Sequence, residues 1–298
     1  MNHILVIGSE GFIGHHLVKF YLKNNWQVSG IDRIDNPSAD YHYIKLLSGI
    51  DFVDLFINNN FTYVINAAGS GNVGFSVEHP ISDFEANCFE TARILEALRL
   101  SRKESRYLHI SSAAVYGNPD KLPIAEQDKL HPLSPYGWHK MMSEMLCREY
   151  YELYNIRSCI IRPFSVYGPG LRKQLFWDLY HRTSGKTAIE LFGTGDESRD
   201  FIYIDDLVQI IHLLITNSPM TAEAYNAANG VEIRIREAVS EFIRFFDPVP
   251  TANFNGKGKK GDPLNWRADI QSISALGYQQ KVTFEEGIER TFNWINGL

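Results

Sequence analysis

The amino-acid sequence predicts an α/β fold built on a doubly wound parallel sheet, followed by a smaller α/β region, and three observations carry that prediction. Short apolar runs alternate with helix-period stretches through the first half of the 298 residues. The runs at residues 4 to 7 and 107 to 110 are apolar on successive positions, as in strands covered by helices on both faces. A glycine-rich turn, Gly8 to Gly14, directly follows the first run and opens the first helical stretch.

In chain order, the expected elements are a strand at Ile4 to Ile7, a helix at Phe12 to Leu22 and a strand at Val28 to Ile31. A strand at Tyr63 to Asn66, a helix at Phe84 to Leu98 and a strand at Tyr107 to Ile110 follow. Right-handed crossovers then place each helix against the sheet. Beyond Arg157 the pattern loosens: Cys159-Ile160-Ile161 is strand-like, and Pro163, Pro169 and Gly170 interrupt what comes next. The stretch from Asn253 to Asp262 is expected as a surface loop near a ligand, and Phe284 to Trp294 as an amphipathic helix. A first domain over residues 1–163 and a second, mainly residues 164–298, are expected, with about residues 200–225 returning to the first. Neither an internal repeat nor a low-complexity tract is visible.

Composition excludes several classes. With 44% hydrophobic and 21% charged residues the chain can bury a substantial core, and disorder is ruled out as its main state. Its longest apolar runs fall far short of the roughly 20 residues that span a bilayer, and Met1-Asn2-His3 carries no basic leader, so a cytoplasmic location is expected. Three scattered cysteines, Cys88, Cys147 and Cys159, form no CxxC pair and are expected as packing residues in a reducing compartment. A formal charge of −6 disfavours nucleic acid, and no pair of histidines has metal-ligand spacing, so no metal is expected.

Gly8, Gly11 and Gly14, with Phe12 and Ile13 opening the helix, form a GxxGxxG turn at which a pyrophosphate can approach backbone N–H groups. That spacing leans toward the short-chain dehydrogenase/reductase arrangement. About eighteen residues beyond Gly14, at the end of the second strand, stands Asp32. A carboxylate there accepts both ribose hydroxyls of NAD and repels a 2′-phosphate. Strand, glycine turn, helix and acid together predict a Rossmann-type NAD site, and Arg33 beside the ribose tempers the preference against NADP.

Tyr136 and Lys140 form a YxxxK at the start of a helix announced by Ser134-Pro135, so both side chains share one face. A second YxxxK, at Tyr41 and Lys45, lies on a predicted strand, where four residues span about 13 Å and cannot cooperate. A phenol with an ordinary pKa near 10 needs a nearby ammonium, helped by a nicotinamide's positive ring, to act as a base at neutral pH. Ser111 and Ser112 follow the fifth parallel strand, at the carboxyl edge where such sheets bind ligands.

On these residues the sequence resembles the extended short-chain dehydrogenase/reductases, the NAD-dependent epimerase/dehydratase family acting on nucleotide-diphosphate sugars. The likeness covers nearly the whole chain. It implies Ser112, Tyr136 and Lys140 as the catalytic residues, with Ser112 four positions before Tyr116 of the VYG segment. Ala67, Ala68 and Gly69 resemble the family's loop beside the cofactor ribose and pyrophosphate, and Asn87 the buried asparagine that holds the backbone near the site. The segment Arg162 to Gly170 resembles RPxNVYGPG with Ser165 in the asparagine's place, and Gly193 to Phe201 resembles GxGxxxRDF, whose arginine, here Arg199, clamps the substrate pyrophosphate. Lys259 and Asp262 stand where the family has an arginine and an acid for the nucleotide phosphate and ribose. The acid that holds the adenine is missing. A homodimer through a four-helix bundle, formed by the helices at residues 82–100 and 135–154, is implied by resemblance alone.

The implied reaction is oxidation at a sugar carbon, most often C4, with Tyr136 taking the hydroxyl proton while hydride passes to NAD. Reduction on the other face completes an epimerisation. A 4,6-dehydratase needs an acid and a base just after the catalytic serine, where this chain has Ala113 and Ala114. The competing function is an NAD(P)H-dependent 4-keto-6-deoxy nucleotide-sugar reductase, which uses the same three residues. A nucleotide-binding protein that has lost catalysis is a third possibility, opposed by the presence of all three.

Overall fold

A computed structural model provides the structure and describes residues 2–45, 51–183, 185–257 and 263–298. The first half follows the alternation read from the sequence: β1 (His3–Ile7), α1 (Phe12–Lys23), β2 (Gln27–Asp32), β3 (His42–Lys45), α2 (Phe52–Asn58) and β4 (Tyr63–Asn66). Then come α3 (Val73–Glu78), α4 (Pro80–Phe84), α5 (Glu90–Ser101), β5 (Arg106–Ile110), α6 (Pro135–Tyr154) and β6 (Ser158–Pro163).

The second half holds β7 (Ser165–Tyr167), α7 (Gln174–Thr183), β8 (Ala188–Leu191), β9 (Ser198–Arg199), β10 (Phe201–Tyr203) and α8 (Ile204–Asn217). It ends with β11 (Thr221–Ala227), β12 (Ile233–Arg234), α9 (Ile235–Ile243), β13 (Thr251–Phe254), α10 (Gln271–Ala275) and α11 (Phe284–Asn296).

Seven strands form one parallel sheet in the order β11-β6-β5-β4-β1-β2-β3. Because each strand is covered on both faces, successive residues of β1 go to different cores. Ile4 and Val6 pack with Leu17, Val18 and Tyr21 of α1 and with α8, whereas Leu5 and Ile7 pack with Phe52, Phe56, Ile94 and Leu98. The edge strand β11 is supplied late in the chain and pairs with β6 from Glu223↔Cys159 to Ala227↔Pro163. Outside this sheet, β7 pairs with β10, β8 with β13 and β9 with β12. Phenylalanines 176, 242, 245, 246 and 292 pack in one aromatic core among α7, α9 and α11.

One element differs from the expected regular helix at residues 84–98. A π-helical turn, Glu85–Phe89, lies between α4 and α5, and it contains Asn87. Asn87 Nδ2 donates to the Asp83 carbonyl at 3.2 Å, which stabilises the widened turn from inside. All three cysteines are buried free thiols.

Strand order reverses direction at β1, which lies between β2 and β4, so the turns after β1 and β4 lie side by side at the carboxyl edge. The register brings Ile7 level with Ile31 on one side and Asn66 on the other. This switch point positions the site.

Candidate active site

The β1 turn has no room for side chains. Gly8 adopts φ +84°, and a Cβ on it would lie 2.7 Å from the Ala68 amide nitrogen. A Cβ on Gly14 would lie 1.9 Å from the Gly8 carbonyl oxygen, so both positions are closed to any other residue. Gly11 caps α1 without a side-chain hydrogen bond, and the first turn carries no acid. The amides of Phe12, Ile13 and Gly14 are therefore first-turn donors at the positive end of a helix dipole. Asp32, at the carboxyl end of β2, accepts from the Glu10 amide at 2.9 Å through Oδ2 and from the Arg33 and Ile34 amides through Oδ1. Arg33 is exposed.

Across the switch point, Ala67, Ala68 and Gly69 leave β4 with the Ala68 amide held by Asn66 Oδ1 at 3.2 Å. Gly69 adopts φ +122°, and a Cβ there would be 2.5 Å from Asn87 Oδ1. That oxygen is buried and has no hydrogen-bond partner among the described residues. A glycine cradle, an open helix terminus, a strand-end carboxylate and an unpartnered amide oxygen around one sheet edge fit a dinucleotide.

The sequence brings the second group together by a close approach of α6 to the turn after β5. Ser134 Oγ caps α6 on the Gly137 amide, and a Cβ on Gly137 would be 2.6 Å from the Ala114 carbonyl oxygen. That contact seats Tyr136 beside Ser112, whose Oγ also accepts from the Ala114 amide at 3.1 Å. Burial pushes the Tyr136 phenol above its ordinary value, while its hydrogen bond with the Ser112 hydroxyl pulls it down and the charge of Asp83 pushes it up. An ammonium was expected to draw the phenol down, but burial is the larger effect here. Lys140, 4% exposed, donates from Nζ to the Ile110 carbonyl at 2.9 Å and lies 6.0 Å from the centre of the Tyr136 ring. Burial pushes its ammonium down to about 8.

The residues expected for substrate lie on the second region's side. Ser165 opens β7, its amide donating to the Asp200 carbonyl at 3.0 Å. Arg199 Nη1 donates to the Ser198 and Leu264 carbonyls, and its guanidinium lies 5.5 Å from the centre of the Trp266 ring. Lys259 and Asp262 lie outside the described residues. Asp51 caps α2 by accepting from the Val53 amide at 2.8 Å. No group of three or more metal-ligating side chains occurs among the described residues.

Two arrangements are invisible in the sequence pattern. Arg162, completely buried, is bidentate to Glu144 through Nη2 at 2.6 Å and Nε at 2.9 Å, and Ser111 Oγ donates to the same carboxylate at 2.6 Å. Asp83, also completely buried, pairs with His139 Nδ1 at 2.6 Å. The available signal was position: Glu144 is one turn beyond Lys140, and His139 immediately precedes it.

The profile described as the NAD dependent epimerase/dehydratase family matches residues 4–228. A putative UDP-glucose 4-epimerase of Methanocaldococcus jannaschii is 31% identical over 308 residues, covering 98% of each chain. The UDP-glucuronate 4-epimerase of Thermodesulfobacterium geofontis is 26% identical over 314 residues, covering 99% of this chain and 96% of the relative. Among solved structures, UDP-glucuronic acid 4-epimerase from Bacillus cereus, in complex with UDP-glucuronic acid and NAD, superposes with a TM-score of 0.90 at 28% identity, covering 99% of both chains. With its glycine cradle and strand-end acid in place, the chain belongs to the NAD-dependent epimerase/dehydratase family, enzymes whose cofactor is NAD.

Proposed function

We propose that the chain is an NAD-dependent UDP-sugar 4-epimerase, which oxidises the C4 hydroxyl to a ketone and restores it with either configuration. The observation that carries this reading is the cluster of Ser112, Tyr136 and Lys140 at the carboxyl edge of β5, with the phenol hydrogen-bonded to the serine. The relatives named above support the 4-epimerase class and the uridine nucleotide. Ala113 is buried and Ala114 offers no titratable group, so the acid and base that water loss needs are missing and the dehydratase is disfavoured.

When bound, oxidised NAD supplies the hydride acceptor, which later becomes the donor, and a positive ring that favours phenolate. The amides at Phe12, Ile13 and Gly14 hold its pyrophosphate over the turn of Gly8 and Gly11, whose own amides donate to the Ile31 and Gly8 carbonyls, and Asp32 holds a ribose, with Arg33 beside it. Ala67, Ala68, Gly69 and Asn87 close the other side. Tyr136 accepts the C4 hydroxyl proton and returns it after the ketone has turned over. Ser112 holds the C4 oxygen in place, and Lys140, anchored on the Ile110 carbonyl, keeps a positive charge by the phenol. Arg199 and Ser165 take the substrate pyrophosphate, with Lys259 and Asp262 on the nucleotide.

In this reading residues 1–163, with 200–225, form the NAD-binding unit, and 164–298 mainly bind substrate. The chain pairs as a homodimer through the helices at residues 82–100 and 135–154. Phe89, Trp138, Met142, Met145 and Leu153 are exposed on these segments, and a second copy would cover them. Three buried unpaired thiols accord with the cytoplasm.

The test incubates purified protein with UDP-glucose, UDP-glucuronic acid and UDP-N-acetylglucosamine in turn. Interconversion of C4 epimers without net change in nicotinamide absorbance is expected. Steady oxidation of NADPH with a 4-keto-6-deoxy nucleotide sugar, and no epimer formed, would replace this reading by the reductase.

A further inference from the structure

The second YxxxK of the chain has a use of its own. Tyr41, just before β3, lays its ring across β2 at Gly30, where a Cβ would overlap that ring and lie 2.7 Å from Ser9 Oγ. The missing side chain lets the Tyr41 hydroxyl reach the glycine turn after β1, where it donates to Glu10 Oε1 at 2.5 Å, with Ser9 Oγ at 3.2 Å. Burial, and then the bond to Glu10, push this phenol well above its ordinary value, so it stays a donor. The Glu10 amide donates in turn to Asp32 Oδ2 at 2.9 Å, which sets the two acids side by side. Tyr43, edge-on to Tyr41 with ring centres 6.1 Å apart, has its hydroxyl on the Asp32 and Ile34 carbonyls.

Asp32 by itself does not fix the choice of dinucleotide. Its oxygens already accept three amides, from Glu10, Arg33 and Ile34, which satisfy much of its charge, and the Arg33 guanidinium comes next in the chain. A guanidinium beside a ribose attracts a 2′-phosphate, which carries about two negative charges. Lys45, paired with Asp32 across the strands, is held by Asp35 at 3.0 Å. Glu10 therefore supplies the charge that offsets Arg33. We propose that Glu10, held by Tyr41, is a specificity-determining residue whose carboxylate, fixed beside Asp32, repels a 2′-phosphate and so excludes NADP. Tyr41 is its positioning residue. The inference rests on Asp32 being the acid that holds the ribose, as proposed above.

The experiment measures the binding of NAD and of NADP to nucleotide-stripped protein by calorimetry, with no turnover involved. Glu10→Gln, which keeps an oxygen for Tyr41 and the amide bond to Asp32, should tighten NADP about tenfold and change NAD by about twofold or less. Tyr41→Phe, which leaves the carboxylate but frees it, should tighten NADP by about threefold, and it serves alone if Glu10→Gln does not fold. Because the repulsion is between exposed charges, raising the salt from about 0.02 to about 0.5 M should narrow the wild-type gap between the two dinucleotides, and narrow it less in Glu10→Gln. A gap unmoved in Glu10→Gln, equal losses for both dinucleotides in either variant, or the same salt dependence in wild type and Glu10→Gln overturns the proposal while leaving the ribose site in place. Wild-type protein that bound neither dinucleotide would overturn the ribose site and this inference with it.

Discussion

Ser111 and Ser112 are neighbours at the end of β5, yet they belong to two polar clusters built on opposite rules. Ser111 joins a knot in which Arg162 is bidentate to Glu144 and also donates to the Tyr116 hydroxyl at 2.7 Å and the Glu126 carbonyl at 2.9 Å. Tyr116 in turn donates its hydroxyl to Asn226 Oδ1 at 2.6 Å, tying β11 to the same knot. Burial opposes the guanidinium charge, and Glu144 more than restores it. Ser112 instead joins a corner where burial lowers an ammonium, raises a phenol and leaves Asp83 Oδ1, Asn87 Oδ1 and His109 Nε2 nearby without partners among the described residues. A buried polar group whose hydrogen bonds are all made holds the fold, whereas one left short is available for chemistry.

The sharpest test of the difference is Tyr136→Phe, which should cut kcat by about 10²–10⁴-fold and leave NAD binding and the melting temperature unchanged. If that variant kept wild-type turnover, the corner would lose its chemical meaning. In the knot, Arg162→Met strands a buried carboxylate and should destabilise the fold by about 3–5 kcal/mol in urea unfolding. A loss under about 1 kcal/mol would show that the knot is not what holds these elements. The adjacent serines divide the same way. Ser111→Ala removes a hydrogen bond to a charge and should lower stability by about 1.5–3 kcal/mol. Ser112→Ala removes the cap on the Ala114 amide and should cost about 1 kcal/mol while losing turnover.

The last effect has the opposite sign. Lys140→Met should stabilise the protein by about 1–2 kcal/mol at neutral pH while abolishing activity. The folded lysine releases its proton near pH 8, whereas the unfolded one does so near its ordinary value. Between those limits the unfolded chain binds more protons, so wild-type stability rises with pH and the variant's advantage shrinks. Urea unfolding at pH 7 and pH 10 measures this directly, and an advantage that grew with pH would reverse the assignment of burial as the cause.

Much of the site was legible in the sequence because it rests on short-range rules. The GxxGxxG turn, Asp32 at a strand end and Tyr136 one turn before Lys140 each follow from local geometry, and the structure sets them at one sheet edge. The π-helical turn around Asn87 was read as regular helix, since its apolar periodicity resembles an ordinary one and the stabilising bond is from a side chain to a carbonyl. The Arg162–Glu144 pair, 18 residues apart, could not be paired without knowing that β6 lies beside α6. Tyr150 packs against the core that holds Phe52 and Phe56 and bonds to Glu96, while Tyr154, which it meets one turn on, is 46% exposed.

By itself the sequence determined the sheet, the cofactor turn and which residue types could move a proton, because those depend on periods of two and 3.6 residues and on spacings within one turn. Only the tertiary structure decided the electrical state of the groups that do so. Charge is set by burial and by neighbours from other elements, so how readily Lys140 gives up its proton depends on how deeply the fold buries it against β5, which no spacing in the chain fixes.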